Sequence, residues 1–267
     1  MIPVINRGAD HLNIYDTHCR MTGDGDPVLI LHPFLSGGFA QNPVVDQLSQ
    51  QFRVYSITLP GMGPVLTDRP FTAEQHVEFL EKLVQTKYIE PFVLIGVSIG
   101  CHVALQYAVK NQDVRKLVLA NPAGLRPIHP LLRISSLQKL FLNRLTVRLD
   151  NKDRFIHLFQ DLLQTKTGRF TSYWPVEAFQ KGSAWPGQAA QTIWSLGRSP
   201  ADLKKRSERI GNPVLLIGGR GDRLISRSAL IELEGVLQNV RLQWVEGGHL
   251  GIIENPEEYF IKIEQFL

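Results

Sequence analysis

Six consecutive apolar or small residues, Phe92-Val93-Leu94-Ile95-Gly96-Val97, run into Ser98 and then directly into residues 99–110, whose composition is helical. A strand with no polar alternation must be covered on both faces, and the interior of a parallel sheet between two helical layers offers that environment. The feature predicts a central strand, a sharp turn at Ser98 and a helix. Shorter apolar runs repeat the pattern at residues 28–31, 53–59, 116–120, 214–217 and 241–245, each followed by turn residues or by a helix-period stretch. Helices are expected over 40–51, 72–88, 226–237 and 256–267. In the second of these, Val77, Leu80, Leu83, Val84 and Tyr88 recur at helical spacing, and Thr72 just ahead of Glu74 is a start signal. The reading is an α/β chain with a mostly parallel central sheet flanked by helices.

The stretch 121–200 breaks this rhythm. It offers helical segments at 131–141 and 153–163 but no strand of comparable quality, and it reads as a helical cap inserted into a core formed by 1–120 and 201–267. Trp174, Trp185 and Trp194 lie in it, and anchoring the cap on the core is the simpler use for them than substrate contact. With 267 residues, 43% of them apolar, the chain can bury one substantial core, so one elaborated domain is expected. Between residues 125 and 210 there are 15 Lys and Arg against 6 Asp and Glu, a local surplus of +9 that leaves −5 elsewhere. Such a surplus is either a solvated basic face or a surface suited to an anionic substrate or an acidic carrier. No nucleic-acid-binding motif accompanies it. Residues 1–10 include Arg7 and Asp10 and lack the apolar centre of a signal peptide, and no apolar run reaches the ~18 residues of a spanning helix, so a cytoplasmic protein is expected. Cys19 and Cys101 have neither disulfide-framework nor metal-ligand spacing, and no metal or cofactor is expected.

Chemistry concentrates at Gly96-Val97-Ser98-Ile99-Gly100, a G-x-S-x-G pattern in the strand, turn and helix context that exposes a serine hydroxyl as a nucleophile. Glycine on each flank permits the close backbone approach such a turn needs. A serine requires a base, and His249, after the strand 241–245 and the pair Gly247-Gly248, is placed at the same sheet edge. The base requires an acid to fix its tautomer, and Asp222 follows the strand 214–217 through Gly218-Gly219-Arg220-Gly221. The competing position after 116–120 holds Asn121 and Pro122, neither of which can serve as the acid. The backbone N–H of Ile99, at a helix start, is one expected oxyanion donor, and that of Phe34, in the loop after 28–31, is the other. His32 reads as a structural loop histidine, and Cys101 and His102 as packing residues of the helix.

These segments, together with Leu29-Ile30-Leu31-His32, Leu59-Pro60-Gly61-Met62-Gly63 and Gly248-His249 followed by Glu254-Asn255-Pro256, make the chain resemble the α/β-hydrolase superfamily, in the branch with a helical cap inserted after the sixth strand. The resemblance implies a cofactor-free enzyme acting on a small acyl substrate: a serine esterase or thioesterase working through an acyl-enzyme, or a C–C hydrolase or lyase on the same triad. Some members of the superfamily act instead as ligand-binding receptors. Ser rather than Asp at position 98 argues against the aspartate-nucleophile branches. Two residues depart from the family pattern: Pro33 stands where glycine usually follows the oxyanion-loop histidine, and Pro64 replaces the usual small residue after Pro60-Gly61-Met62-Gly63.

Overall fold

The computed structural model describes residues 18–33, 43–62, 71–89, 92–125 and 200–267, with isolated positions at 191 and 195. Among the described residues seven strands form one sheet: β1 Cys19–Thr22, β2 Pro27–Leu31, β3 Arg53–Ile57, β4 Phe92–Val97, β5 Val114–Ala120, β6 Val214–Gly219 and β7 Val240–Val245. Their order is β1-β3-β2-β4-β5-β6-β7. Only β1 runs antiparallel, paired with β3; the other neighbours are parallel. The helices are α1 Pro43–Leu48, α2 Ala73–Lys87, α3 Ile99–Lys110, α4 Pro200–Ser207, α5 Arg227–Glu234, α6 Gly251–Glu254 and α7 Pro256–Glu264.

The chain leaves β2 toward the β1 edge, then crosses back from β3 past β2 to β4 and continues in that direction to β7. Right-handed crossovers therefore put α1 on one face and the crossover helices that follow β3 on the other, while α7, beyond the last strand, lies with α1. The packing agrees, since α1 lies against α7 while α2 packs on α3 and α3 on α4. β4 and β6, covered on both faces, are buried along their whole length. The direction changes between β2 and β4, so the crevice at a topological switch point opens over the carboxyl ends of these two strands.

Local rules account for the element ends. Thr72 caps α2 in a reciprocal box: its hydroxyl accepts the Gln75 N–H, and the Gln75 side chain accepts the Thr72 N–H at 2.9 Å. The reciprocal partner is Gln75 rather than the neighbouring Glu74. α3 spans residues 99–110, as expected, and α5 begins after its cap Ser226 but ends at Glu234, short of residue 237. α7 likewise stops before residue 267, and α1 ends at Leu48, short of residue 51, with residues 40–42 of the expected helix outside the described residues. β3 ends two residues early because Thr58 and Leu59 leave the ladder for imidazole partners: His18 Nδ1 bonds the Thr58 carbonyl at 2.7 Å and His32 Nε2 accepts the Leu59 N–H at 2.9 Å. β1 was not expected from the sequence. It is four residues long, with Arg20 and Met21 exposed, so it carries no apolar pattern and is held by backbone pairing to β3. The cap expected over 121–200 falls almost wholly outside the described residues, as do Trp174, Trp185, Trp194, Pro64 and Phe34.

Candidate active site

Ser98 stands between β4 and α3 with φ 52° and ψ −112°, a conformation that a residue bearing a Cβ adopts only under constraint. The constraint comes from both sides. A Cβ on Gly96 would lie 2.6 Å from the Cα of Cys101, and one on Gly100 would lie 2.5 Å from the Leu31 carbonyl oxygen. Glycine at both positions lets α3 begin directly over β2 and β4. Beneath the turn, the Cys101 thiol donates to the carbonyls of Gly96 at 3.0 Å and Ala120 at 3.4 Å. Burial pushes that thiol well above its ordinary pKa, so it stays protonated and serves as a donor.

Ser98, Asp222 and His249, drawn from the ends of three strands, meet at this edge of the sheet. The Ser98 Oγ lies 2.7 Å from His249 Nε2, and His249 Nδ1 lies 2.9 Å from Asp222 Oδ2. The side chains of His249 and Asp222 are only 3% and 5% exposed, so water competes little for these contacts. A neutral imidazole donating from Nδ1 to the carboxylate presents its Nε2 lone pair to the serine hydroxyl, the polarity that a base requires. The other Asp222 oxygen accepts the N–H groups of Leu224 and Ile225, both at 2.9 Å. Burial works to raise the Asp222 carboxyl, but the hydrogen bond and charge of His249, with the Ile225 N–H and the Asn121 amide, outweigh it and hold the group below its ordinary value.

The loop bearing His249 is fitted closely onto β6. The Gly247 carbonyl accepts the Gly221 N–H at 2.9 Å, and a Cβ on Gly219 would lie 2.6 Å from the Gly248 carbonyl oxygen. Ile99 is the first residue of α3, in the turn whose N–H groups have no acceptor within the helix. The second expected donor, Phe34, lies outside the described residues, but the two residues before it are fixed. His32 is fully buried, with Nδ1 bonded to the Pro33 carbonyl and Nε2 accepting from Leu59. Proline at 33 thus still supplies a carbonyl that anchors the loop.

Two members of the site were not assigned to it from the sequence. Asn121, considered there only as a failed acid, is fully buried beside Asp222, and Tyr259, from α7, reaches it from below. The position of Asn121 after a strand was the available signal for the first; nothing local in the sequence marks the second. Among the described residues an open cavity of about 410 Å³ adjoins the site, lined by Ala123, Leu125, Leu224 and Ile225 among others, and Ala123 N–H bonds the Ser98 carbonyl at 3.0 Å. No group of three or more His, Cys, Asp or Glu side chains suited to a metal ion occurs among the described residues. No helix among them is long and apolar enough to cross a membrane.

The alpha/beta hydrolase family model matches residues 28–262. The chain is 25% identical over 248 residues to a pimeloyl-[acyl-carrier protein] methyl ester esterase of Nitrosomonas europaea, covering 91% of this chain and 96% of that protein. It is 23% identical over 253 residues to a 2-(acetamidomethylene)succinate hydrolase of Mesorhizobium japonicum, covering 91% and 88%. Its fold superposes on an esterase from Exiguobacterium antarcticum with a TM-score of 0.75 at 17% identity, over 93% of this chain and 94% of that one.

Proposed function

The chain belongs to the α/β-hydrolase family, and from that premise we propose that it is a serine hydrolase cleaving an ester or thioester through an acyl-enzyme on Ser98. His249 Nε2 takes the Ser98 proton as Oγ attacks the carbonyl carbon. The N–H groups of Ile99 and Phe34 hold the developing oxyanion, and Asp222 stabilises the imidazolium. The tetrahedral intermediate collapses as His249 protonates the leaving alcohol or thiol, and a water deprotonated by the same imidazole then releases the acid. The observation that carries this reading is the buried chain from Ser98 Oγ to His249 to Asp222, at 2.7 and 2.9 Å. Each contact already has hydrogen-bonding length, so the first proton transfer needs no side-chain rearrangement.

The substrate we propose is an acyl group on an anionic or acidic carrier. The basic surplus between residues 125 and 210 supports it, and α4 with the turn after it contributes the exposed Lys205 and Arg209. The likeness to carrier-protein ester esterases points the same way.

The decisive experiment treats the protein and its Ser98→Ala variant with a fluorophosphonate probe and with p-nitrophenyl acetate. Labelling and turnover are expected in the parent, with labelling abolished and turnover reduced by at least about a thousandfold in the variant. Labelling that persists in the variant refutes the assignment, and tight binding of an acyl compound without turnover by the parent favours a receptor. For the carrier, kcat/KM toward an anionic thioester should fall as salt rises from 50 to 500 mM, roughly within the range set by Debye screening, while that toward a neutral ester stays level.

A further inference from the structure

Asn121 has no role in the proton transfers just described, yet it is among the most constrained residues at the site. It is fully buried, its φ is +50°, and its N–H is bonded to the Ile217 carbonyl at 2.8 Å, so its backbone is locked between β5 and β6. Its side-chain Nδ2 lies 3.1 Å from Asp222 Oδ2, the same oxygen that accepts the hydrogen bond of His249 Nδ1, and 3.4 Å from the Gly248 carbonyl, one residue before His249. Its Oδ1 accepts the Tyr259 hydroxyl.

These partners fix the orientation of the amide. Reversed, it would set a carbonyl oxygen against both the carboxylate and the Gly248 carbonyl, three acceptors with no proton among them. The Tyr259 phenol, whose pKa burial pushes far upward, remains a donor across the accessible pH range and holds Oδ1 in place. A Cβ on Gly251 would lie 2.6 Å from that hydroxyl, so the α6 backbone closes over it and keeps the phenol from swinging away.

We propose that Asn121 is a positioning residue, held by Tyr259, that acts through the Asp222 carboxylate to keep His249 in register with Ser98; the inference rests on the triad reading above. An amide suits the place because it donates to one neighbour and accepts from the other at once. An acid there would set a second negative charge against Asp222.

The test is a mutant cycle read as kcat and KM for p-nitrophenyl acetate and as the rate of fluorophosphonate labelling. Asn121→Gly removes the amide while leaving a residue at ease with positive φ. It should lower kcat and the labelling rate by about tenfold to a hundredfold with KM nearly unchanged, the loss expected for one hydrogen bond to a charged group. In an Asp222→Ala background the same substitution should cost nothing further, because the group it acts through is gone. Tyr259→Phe, which preserves packing and gives a second route should Asn121→Gly fail to fold, should lower kcat about threefold in the parent and leave the Asp222→Ala variant unchanged. Parental kcat in both variants, or an equal fractional loss with and without Asp222, overturns the proposal. Parental turnover by Ser98→Ala or Asp222→Ala would instead overturn the triad on which it rests, so the two failures are distinguishable.

Discussion

Lowering the pH from 7.5 to 5 should unfold much of this protein, and the reason lies in its buried imidazoles. His32, His76 and His102 are almost wholly excluded from solvent, and burial takes each from 6.5 to about 4. His18 moves in the same direction and, through its charge, adds to the depression of both His32 and His76. Hydrogen bonds explain why the rings must stay neutral: His32 Nε2 accepts the Leu59 N–H, and His102 Nε2 accepts from the Gln106 amide at 2.8 Å. Between pH 6.5 and 4 the unfolded chain binds protons that the folded one refuses. The stabilisation is therefore complete above 6.5 and drains away as pH falls toward 4. Each ring contributes about 3 kcal/mol over the full window and has lost about 2 kcal/mol of it at pH 5, so three together lose about 6 kcal/mol, a large share of a typical domain's total stability. Urea titrations at pH 7.5, 6 and 5, with a direct measurement of protons taken up on unfolding at pH 5, check this. About three protons are expected, and about two in a His76→Gln variant, which can still donate to the Pro60 carbonyl that His76 Nε2 bonds at 2.9 Å. Uptake below one proton, with equal stability at pH 7.5 and 5, would refute the reasoning.

Gly100→Ala places a methyl group 2.5 Å from the Leu31 carbonyl oxygen and 2.9 Å from that of His32, both rigid backbone. A cost of about 3 kcal/mol and a fall in Tm of about 10 °C are expected by calorimetry, with Ser98 labelling lost as α3 is displaced; a Tm within 2 °C of the parent's would contradict the packing argument. Ser98→Gly and Ser98→Ala both remove the hydroxyl, but only glycine relaxes the φ of 52°. The glycine variant should melt about 2–4 °C above the alanine variant, a difference of about 1 kcal/mol, and the opposite order would show that the turn stores no strain.

How far the sequence disclosed this arrangement depends on whether each feature was written locally. β4 and α3 emerge at residues 92–97 and 99–110 because an unbroken apolar run, a glycine-flanked turn and a helical stretch are each readable within a dozen residues. Asp222 and His249 could be placed near Ser98 because parallel strands put their following loops at one edge. β1 could not be read, since a short edge strand with Arg20 and Met21 exposed satisfies its backbone without an apolar face. The imidazoles that end β3 were equally hidden, because the groups they bond, at Thr58 and Leu59, lie 40 and 27 residues away along the chain.

Asn121 marks the limit of that local reading. For one role after a strand, charge stabilisation of a histidine, its neutral amide is unfit. The same chemistry qualifies it for another role, because a neutral group that donates and accepts together can join a carboxylate to a phenol without adding charge to a buried site. Recognising that role requires Tyr259, 138 residues further along, whose hydroxyl is brought to Asn121 by α7 packing back against α1 and β7. Function at such a position belongs to the contact between the two residues, so neither one alone could announce it.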